Sequence, residues 1–209
     1  NIILIGNTIQ NVHNGILSIG SSATGFYDSG IIIGQAGAGN TIQNFGGGVA
    51  DTSYGVYFRY VNNPTLAYNT IDNAAGGGVP QTYNEYLIFF SIVSGDLIVN
   101  NNTLSINNSS TRSSSFIHNN NTVTSETYNN NSFSGAFNTG TQYLIYTFSN
   151  NTPNKTVSGN VITGISKAGG SFNGYYAAGS PSGGTETITN NNFSNLNVTS
   201  GSGSVNMIY

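Results

Sequence analysis

The chain has 209 residues, and only 5% of them are charged, with 4 Lys+Arg against 7 Asp+Glu and a net charge of −3. So sparse and acidic a set of charges excludes nucleic acid as a partner, which needs clustered Lys and Arg against phosphates, and excludes an anionic lipid surface for the same reason. Cysteine is absent, which removes disulfides, thiolate metal sites and cysteine nucleophiles, and no apolar run is long enough for membrane insertion as a helix.

The first organised stretch is Leu4-Ile5-Gly6-Asn7-Thr8-Ile9-Gln10-Asn11-Val12, and it returns six more times. The anchors are Asn7, Asn40, Asn69, Asn102, Asn131, Asn160 and Asn191, with gaps of 33, 29, 33, 29, 29 and 31 residues. Two positions after each anchor stands a large apolar residue: Ile9, Ile42, Ile71, Leu104, Phe133, Ile162 and Phe193. Three positions before it stand Leu4, Gly37, Leu66, Val99, Tyr128, Val157 and Ile188, a column that only Gly37 spoils. Four positions after it, Asn11, Asn44, Asn73, Gly135, Gly164 and Asn195 predict a left-handed backbone, which Asn and Gly adopt at low cost.

Taken in order, residues 1–34 read as a first coil with a polar excursion at 21–29. Residues 35–67 carry a glycine loop at 46–48, an aromatic run from Tyr54 to Tyr60, and a turn at Asn62-Asn63-Pro64, since proline cannot sit inside a central strand. Residues 68–100 repeat that plan with a glycine loop at 76–78 and Pro80. Residues 101–130 are the least regular: the corner is expected to slip by one, from Ile106 to Asn107, and Asn121-Thr122-Val123 reads as a further corner like residues 150–153. Residues 131–160 return to register, and a Gly- and Ser-rich loop at 179–184 precedes the last coil.

A period near 30 residues predicts a solenoid, in which each unit covers its neighbours and none is stable alone. Short runs of Ile, Val, Tyr, Phe and Thr broken by Asn, Gly and Ser are strand-and-turn chemistry, not helix. A second apolar run after each anchor brings the count to three short strands per coil. The expectation is an all-β parallel β-helix of about seven coils of 29–33 residues. With coils about 4.8 Å apart it is a rod roughly 30 Å long.

These Asn-x-apolar-x-(Asn/Gly) units resemble the right-handed parallel β-helix of the pectin-lyase-like superfamily, over the whole chain. The Gly6-Asn7-Thr8-Ile9 style with little charge further resembles long secreted or cell-surface repeat proteins of Bacteroidota. The resemblance implies that the seven anchor amides stack as an asparagine ladder. Chemistry agrees: a side chain with both donor and acceptor can pair with its own kind and with buried backbone from coil to coil. Residues 1–209 are expected to be a single β-helix segment, excised from or part of a longer chain, with the same solenoid continuing at both ends.

Catalysis finds little support. Counted from the preceding anchor, Arg59, Arg112, Lys155 and Lys167 share no column, and the seven acids are scattered, so they read as solvated loop charges. Asp51 and Glu85 are the one pair of acids able to approach across loops. His13 and His118 stand apart, so no metal and no cofactor is expected. Asn-x-Ser/Thr triplets such as those at Asn101 and Asn192 read as turn chemistry before glycosylation acceptors. The aromatics offer a candidate binding face of Tyr57, Tyr60, Tyr86, Phe89, Tyr143, Tyr146 and Tyr175, since half of each strand must face outward. The expected protein is not an enzyme. It is a structural or adhesive segment, secreted or on a bacterial cell surface, with glycans or another surface protein as partners. The alternatives are a polysaccharide-binding or polysaccharide-processing β-helix with active residues outside this segment, and a phage tailspike fragment.

Overall fold

A computed structural model describes residues 1–23, 25–46, 51–73, 83–121, 123–148, 154–179, 183–199 and 203–209. The glycine loops expected at 46–48, 76–78 and 179–184, with Pro80, the unit at 121–123 and the corner at 150–153, lie wholly or partly outside these residues. Among the described residues there is no helix, and hence none long and apolar enough to cross a membrane.

Three parallel sheets wrap one core. The first holds Ile3–Leu4, Ile32–Ile33, Thr65–Ala67, Asp96–Asn100, Ser125–Asn129, Asn154–Ser158 and Thr185–Thr189. The second holds Thr8–Val12, Thr41–Phe45, Thr70–Asp72, Thr103–Asn108, Ser132–Phe137, Val161–Lys167 and Leu196–Val198. The third holds Ile16–Ile19, Ser53–Asn62, Glu85–Ser94, Ser114–Asn119, Gln142–Thr147, Phe172–Ala177 and Val205–Ile208, with Asp28–Ser29 beside the end of Ser53–Asn62. Every strand pairs with its counterpart one coil away, so the chain is a parallel β-solenoid with three strands per coil.

Alternation on the first two sheets turns the repeat columns inward. Ile42, Ile71, Leu104, Phe133 and Ile162 are fully buried and stack in register. The column that Gly37 spoils is intact in space: Ile33 pairs with Leu4 and Leu66 and is fully buried. Four inserted residues separate it from its anchor, so counting backward from Asn40 misses it.

The anchors are joined from Asn7 to Asn191. Asn69, for example, donates its backbone N–H at 2.9 Å and its Nδ2 at 3.1 Å to Oδ1 of Asn102. Asn102 repeats both bonds to Asn131 at 3.1 Å each, and gives its other Nδ2 hydrogen back to Leu66 O at 3.0 Å. An interior anchor thus uses both amide hydrogens and both lone pairs, which leaves no orphaned group in a buried corner. The same donor pattern runs from Asn7 through Asn40, Asn131 and Asn160 to Asn191.

The left-handed residue sits only partly where expected. Positive φ occurs at the fourth position after the anchor for Asn11, Asn44 and Gly135, but not for Asn73, Gly164 or Asn195. It recurs immediately before the anchor, at Gly6, Tyr68, Asn101, Asn130, Gly159 and Asn190. The slip expected at Ile106 is also displaced. Ile106 pairs in register with Gly135, and the one-residue shift falls a rung later, after Phe133. The turn at Asn62-Asn63-Pro64 is a corner with Asn63 at φ 52°, and Asn63 Oδ1 accepts the N–H of Asp96 in the next coil at 2.8 Å.

Candidate functional site

The outer face of the third sheet carries the most distinctive surface. In Glu85–Ser94 the side chains do not simply alternate: Tyr86 and Phe89 turn outward, and both Leu87 and Ile88 between them are fully buried. Outward positions therefore recur at a spacing of three. Register then aligns Tyr57, Phe89, His118, Tyr146 and Tyr176 in one column, and the ring of Tyr209 closes on Tyr176 at 4.8 Å. A second column begins with Tyr54 and Tyr86, whose rings stack at 5.7 Å, and includes Tyr143.

Successive rings of the long column are 5.7, 4.9, 4.2, 5.4 and 4.8 Å apart, with planes within 24° of parallel. That spacing is close to the strand separation of about 4.8 Å, so the ring faces are turned toward one another along the rod. Each such contact contributes on the order of 1 kcal/mol. What remains toward solvent is ring edge, and a flat sugar finds few open ring faces on which to stack. His118 behaves as one more ring: burial between Phe89 and Tyr146 pulls its pKa down to about 4, so at neutral pH it is uncharged.

Of the residues expected on this face, Tyr57, Tyr86, Phe89, Tyr143 and Tyr146 stand in the ladder. Tyr175 does not. It pairs with Ile145, lies in the core, and donates its hydroxyl to Glu186. Tyr60 does not either: it is left unpaired at a register irregularity between Arg59 and Val61, at φ 60°, and it packs on Tyr27 at 5.7 Å and under the guanidinium of Arg59 at 4.8 Å. Tyr54, His118, Tyr176 and Tyr209 complete the ladder. Their distances from the preceding anchor vary with the loops, so spacing alone hides the alignment.

The second feature is interior. Glu85, Glu126, Lys155 and Lys167 are fully or almost fully buried, which corrects the expectation of solvated charges. Glu126, Lys155 and Glu186 align in one column of the first sheet. Each stands five residues before the following anchor, and counting back from that anchor finds them. Tyr128 donates its hydroxyl to Glu126 at 3.0 Å, and Lys155 Nζ donates to Thr147 Oγ1 at 3.2 Å. Burial and the neighbouring carboxylates push the hydroxyls of Tyr128 and Tyr175 upward in pKa.

Where the second and third sheets meet, Glu85 accepts from Asn73 and, at 3.4 Å, from Asn108. Asn108 also donates to Ser114 at 3.0 Å. Burial raises the Glu85 carboxyl to about 8. Further along the same seam Lys167 donates to Gln142 and to the carbonyls of Gly140 and Asn138, and burial lowers it to about 8. Asp51 is exposed while Glu85 is fully buried, so these two acids face different media and do not form a pair. His13 and His118 lie in different coils, and among the described residues no group of three or more His, Cys, Asp or Glu could hold a metal ion.

A shallow open groove of about 580 Å³ crosses the second sheet between Gly135, Thr163, Gly164, Ser166 and Asn195. At Asn192, Oδ1 accepts from the N–H and Oγ of Ser194 at 3.1 and 2.7 Å, the local turn that Asn favours.

The fold and its ladder define the class: a three-sheet parallel β-solenoid closed by stacked asparagines. Beyond that class, the chain matches no family model, no curated protein and no solved structure.

Proposed function

We propose that the chain is a non-catalytic structural and adhesive segment of an extracellular or cell-surface protein. One observation carries this reading: four of the charged side chains are spent on the scaffold. Glu85, Glu126, Lys155 and Lys167 are buried in polar contacts of the core, and the ladder rings cover one another's faces. A rod of this kind is stiff, and it meets a glycan or another surface protein through ring edges and loops. The pectin-lyase-like and Bacteroidota resemblances, and with them a bacterial surface setting, belong to this proposal. They rest on the Asn-x-apolar repeat and the low charge.

The test is an assay of the purified chain against uronate and neutral polysaccharides together with a glycan array. The expected result is no turnover, with any retained ligand lost in Tyr86→Ala/Tyr143→Ala. Turnover of any polymer overturns the reading.

A further inference from the structure

Lys167 ends the strand Val161–Lys167 of the second sheet, and its buried side chain turns in on the coil before it. There Nζ donates to Oε1 of Gln142, to the carbonyl oxygen of Gly140 and, at 3.3 Å, to that of Asn138. All three acceptors are neutral, and among the described residues no carboxylate offsets the charge of the amine. An ammonium buried without a counter-charge is costly. Burial accordingly favours the neutral form and brings the pKa down to about 8. A neutral lysine amine is a nucleophile.

Gln142 shows the complementary defect. It is 1% exposed, yet its Nε2 has no acceptor among the described residues. A buried NH2 group left unpaired is itself costly. One carboxamide therefore carries an unsatisfied nitrogen on one side and a poorly solvated amine on the other. The corner is also held still. A Cβ on Gly140 would lie 1.8 Å from Arg112 O, and one on Gly170 would lie 1.8 Å from Thr139 O. Residues 139 and 140 are thus pressed between the coils on either side.

We infer that Lys167 and Gln142 join through an isopeptide bond. The Nζ lone pair adds to Cδ, one Nζ hydrogen passes to Nε2, the Cδ–Nε2 bond breaks and ammonia leaves. One amide is exchanged for another, so the step needs no oxidant, reductant or co-substrate. The product carries no charge and no orphaned nitrogen, and its remaining N–H keeps the carbonyls of Gly140 and Asn138 as acceptors. Holding amine and amide together in one buried corner replaces the encounter of two free groups. The bond ties the second sheet to the third across adjacent coils, between residues 25 apart in the chain, in a protein that has no cysteine for the purpose. Lys155 is equally buried but meets the hydroxyl of Thr147 and no amide, and it remains an amine.

The experiment is intact-mass and peptide analysis of the denatured 209-residue chain. The parent is expected to be lighter than its sequence by one ammonia. Trypsin has four sites, at Arg59, Arg112, Lys155 and Lys167. It does not cut after an acylated lysine, so residues 113–155 and 156–209 are expected as one branched peptide, with fragmentation placing the branch at Gln142. Lys167→Met and Gln142→Met are expected at the full mass of their sequences, and Lys155→Met is expected to keep the deficit. The measurement on the parent does not depend on any variant folding. A parent at full mass, with residues 156–167 released as a separate peptide, overturns the inference. So does a deficit that survives in Lys167→Met, which marks a succinimide at a site such as Asn173-Gly174.

Discussion

Asn73 donates its side-chain amide to the carboxyl of Glu85, twelve residues further along the chain and inside the corner between the second and third sheets. Oδ1 of Asn73 is buried with no donor among the described residues, and a protonated Glu85 has a hydroxyl to offer it. Burial accordingly holds the folded pKa near 8 against an ordinary 4.5. A raised pKa contributes stability that is complete below 4.5 and is lost as pH climbs through 8. Within that window the expected slope is roughly 1.4 kcal/mol per pH unit. Glu85→Gln is neutral at every pH. It should be the more stable protein at pH 8 and equal to the parent near pH 4, by urea midpoints at both values. A constant difference between the two proteins across that range would show that Glu85 does not titrate in the fold.

His118 acts in the opposite sense. Its pKa falls from 6.5 to about 4 between Phe89 and Tyr146, so its contribution is present above 6.5 and is lost as pH falls through 4. His118→Phe keeps a ring in the column and removes the proton. The variant should resist acid better than the parent between pH 6 and 4 and match it closely at pH 7.5. Thermal melts at these values decide it, and an unchanged acid limb would place the titration elsewhere.

Asn102→Ala removes one ladder rung. It orphans the backbone N–H of Asn69 and takes one donor from the carbonyl of Leu66, while Nδ2 of Asn69 keeps Ile33 O and Ala67 O as acceptors. With a buried orphan costing about 1–3 kcal/mol, a loss of about 2–3 kcal/mol is expected. Asn7→Ala should cost far less, because Asn7 is exposed and accepts no hydrogen bond among the described residues. Chemical denaturation of the two variants makes the comparison. Equal losses would mean that the ladder satisfies nothing the solvent could not.

Tyr68 holds φ at 61° at the corner that Asn101, Asn130 and Asn190 occupy in other coils. A side chain other than Asn or Gly is strained there by about 1–2 kcal/mol, and Tyr68 is 45% exposed, so little packing offsets the cost. Tyr68→Asn should therefore stabilise the protein by about 1 kcal/mol. A drop in the denaturation midpoint would mean that the ring packs more than its exposure suggests.

Glycine at position 39 shows the same corner from its neighbour's side. A Cβ there would lie 1.7 Å from Tyr68 O, so the backbones of adjacent coils approach as only glycine allows. Gly55 is similar inside the core, where a Cβ would lie 2.6 Å from Leu87 O and 2.7 Å from Ile71 Cγ2.

Much of this was legible in the repeat. The anchor spacing identifies the ladder residues and the inward column two positions later, because those residues follow one another without intervening loops. The first-sheet column is legible too, except at Gly37, where an insertion displaces Ile33. Positions beyond the variable loops are not. Tyr175 and Tyr176 are one residue apart, and only the pairing of Tyr146 with Tyr176 tells which faces out. Tyr60 fits the spacing of three that Tyr57 suggests, yet the aligned pair is Tyr54 and Tyr57.

The period, the strand chemistry and the corner amides can be read from the amino acids alone, since those are local patterns repeated at short fixed offsets. It took the tertiary structure to show that His118 is a ring among rings and that Glu85 is buried against Asn73 and Asn108. Those facts depend on which residues of different coils lie side by side. Loop length separates them in the chain, and backbone hydrogen bonding between coils, which is blind to loop length, brings them together.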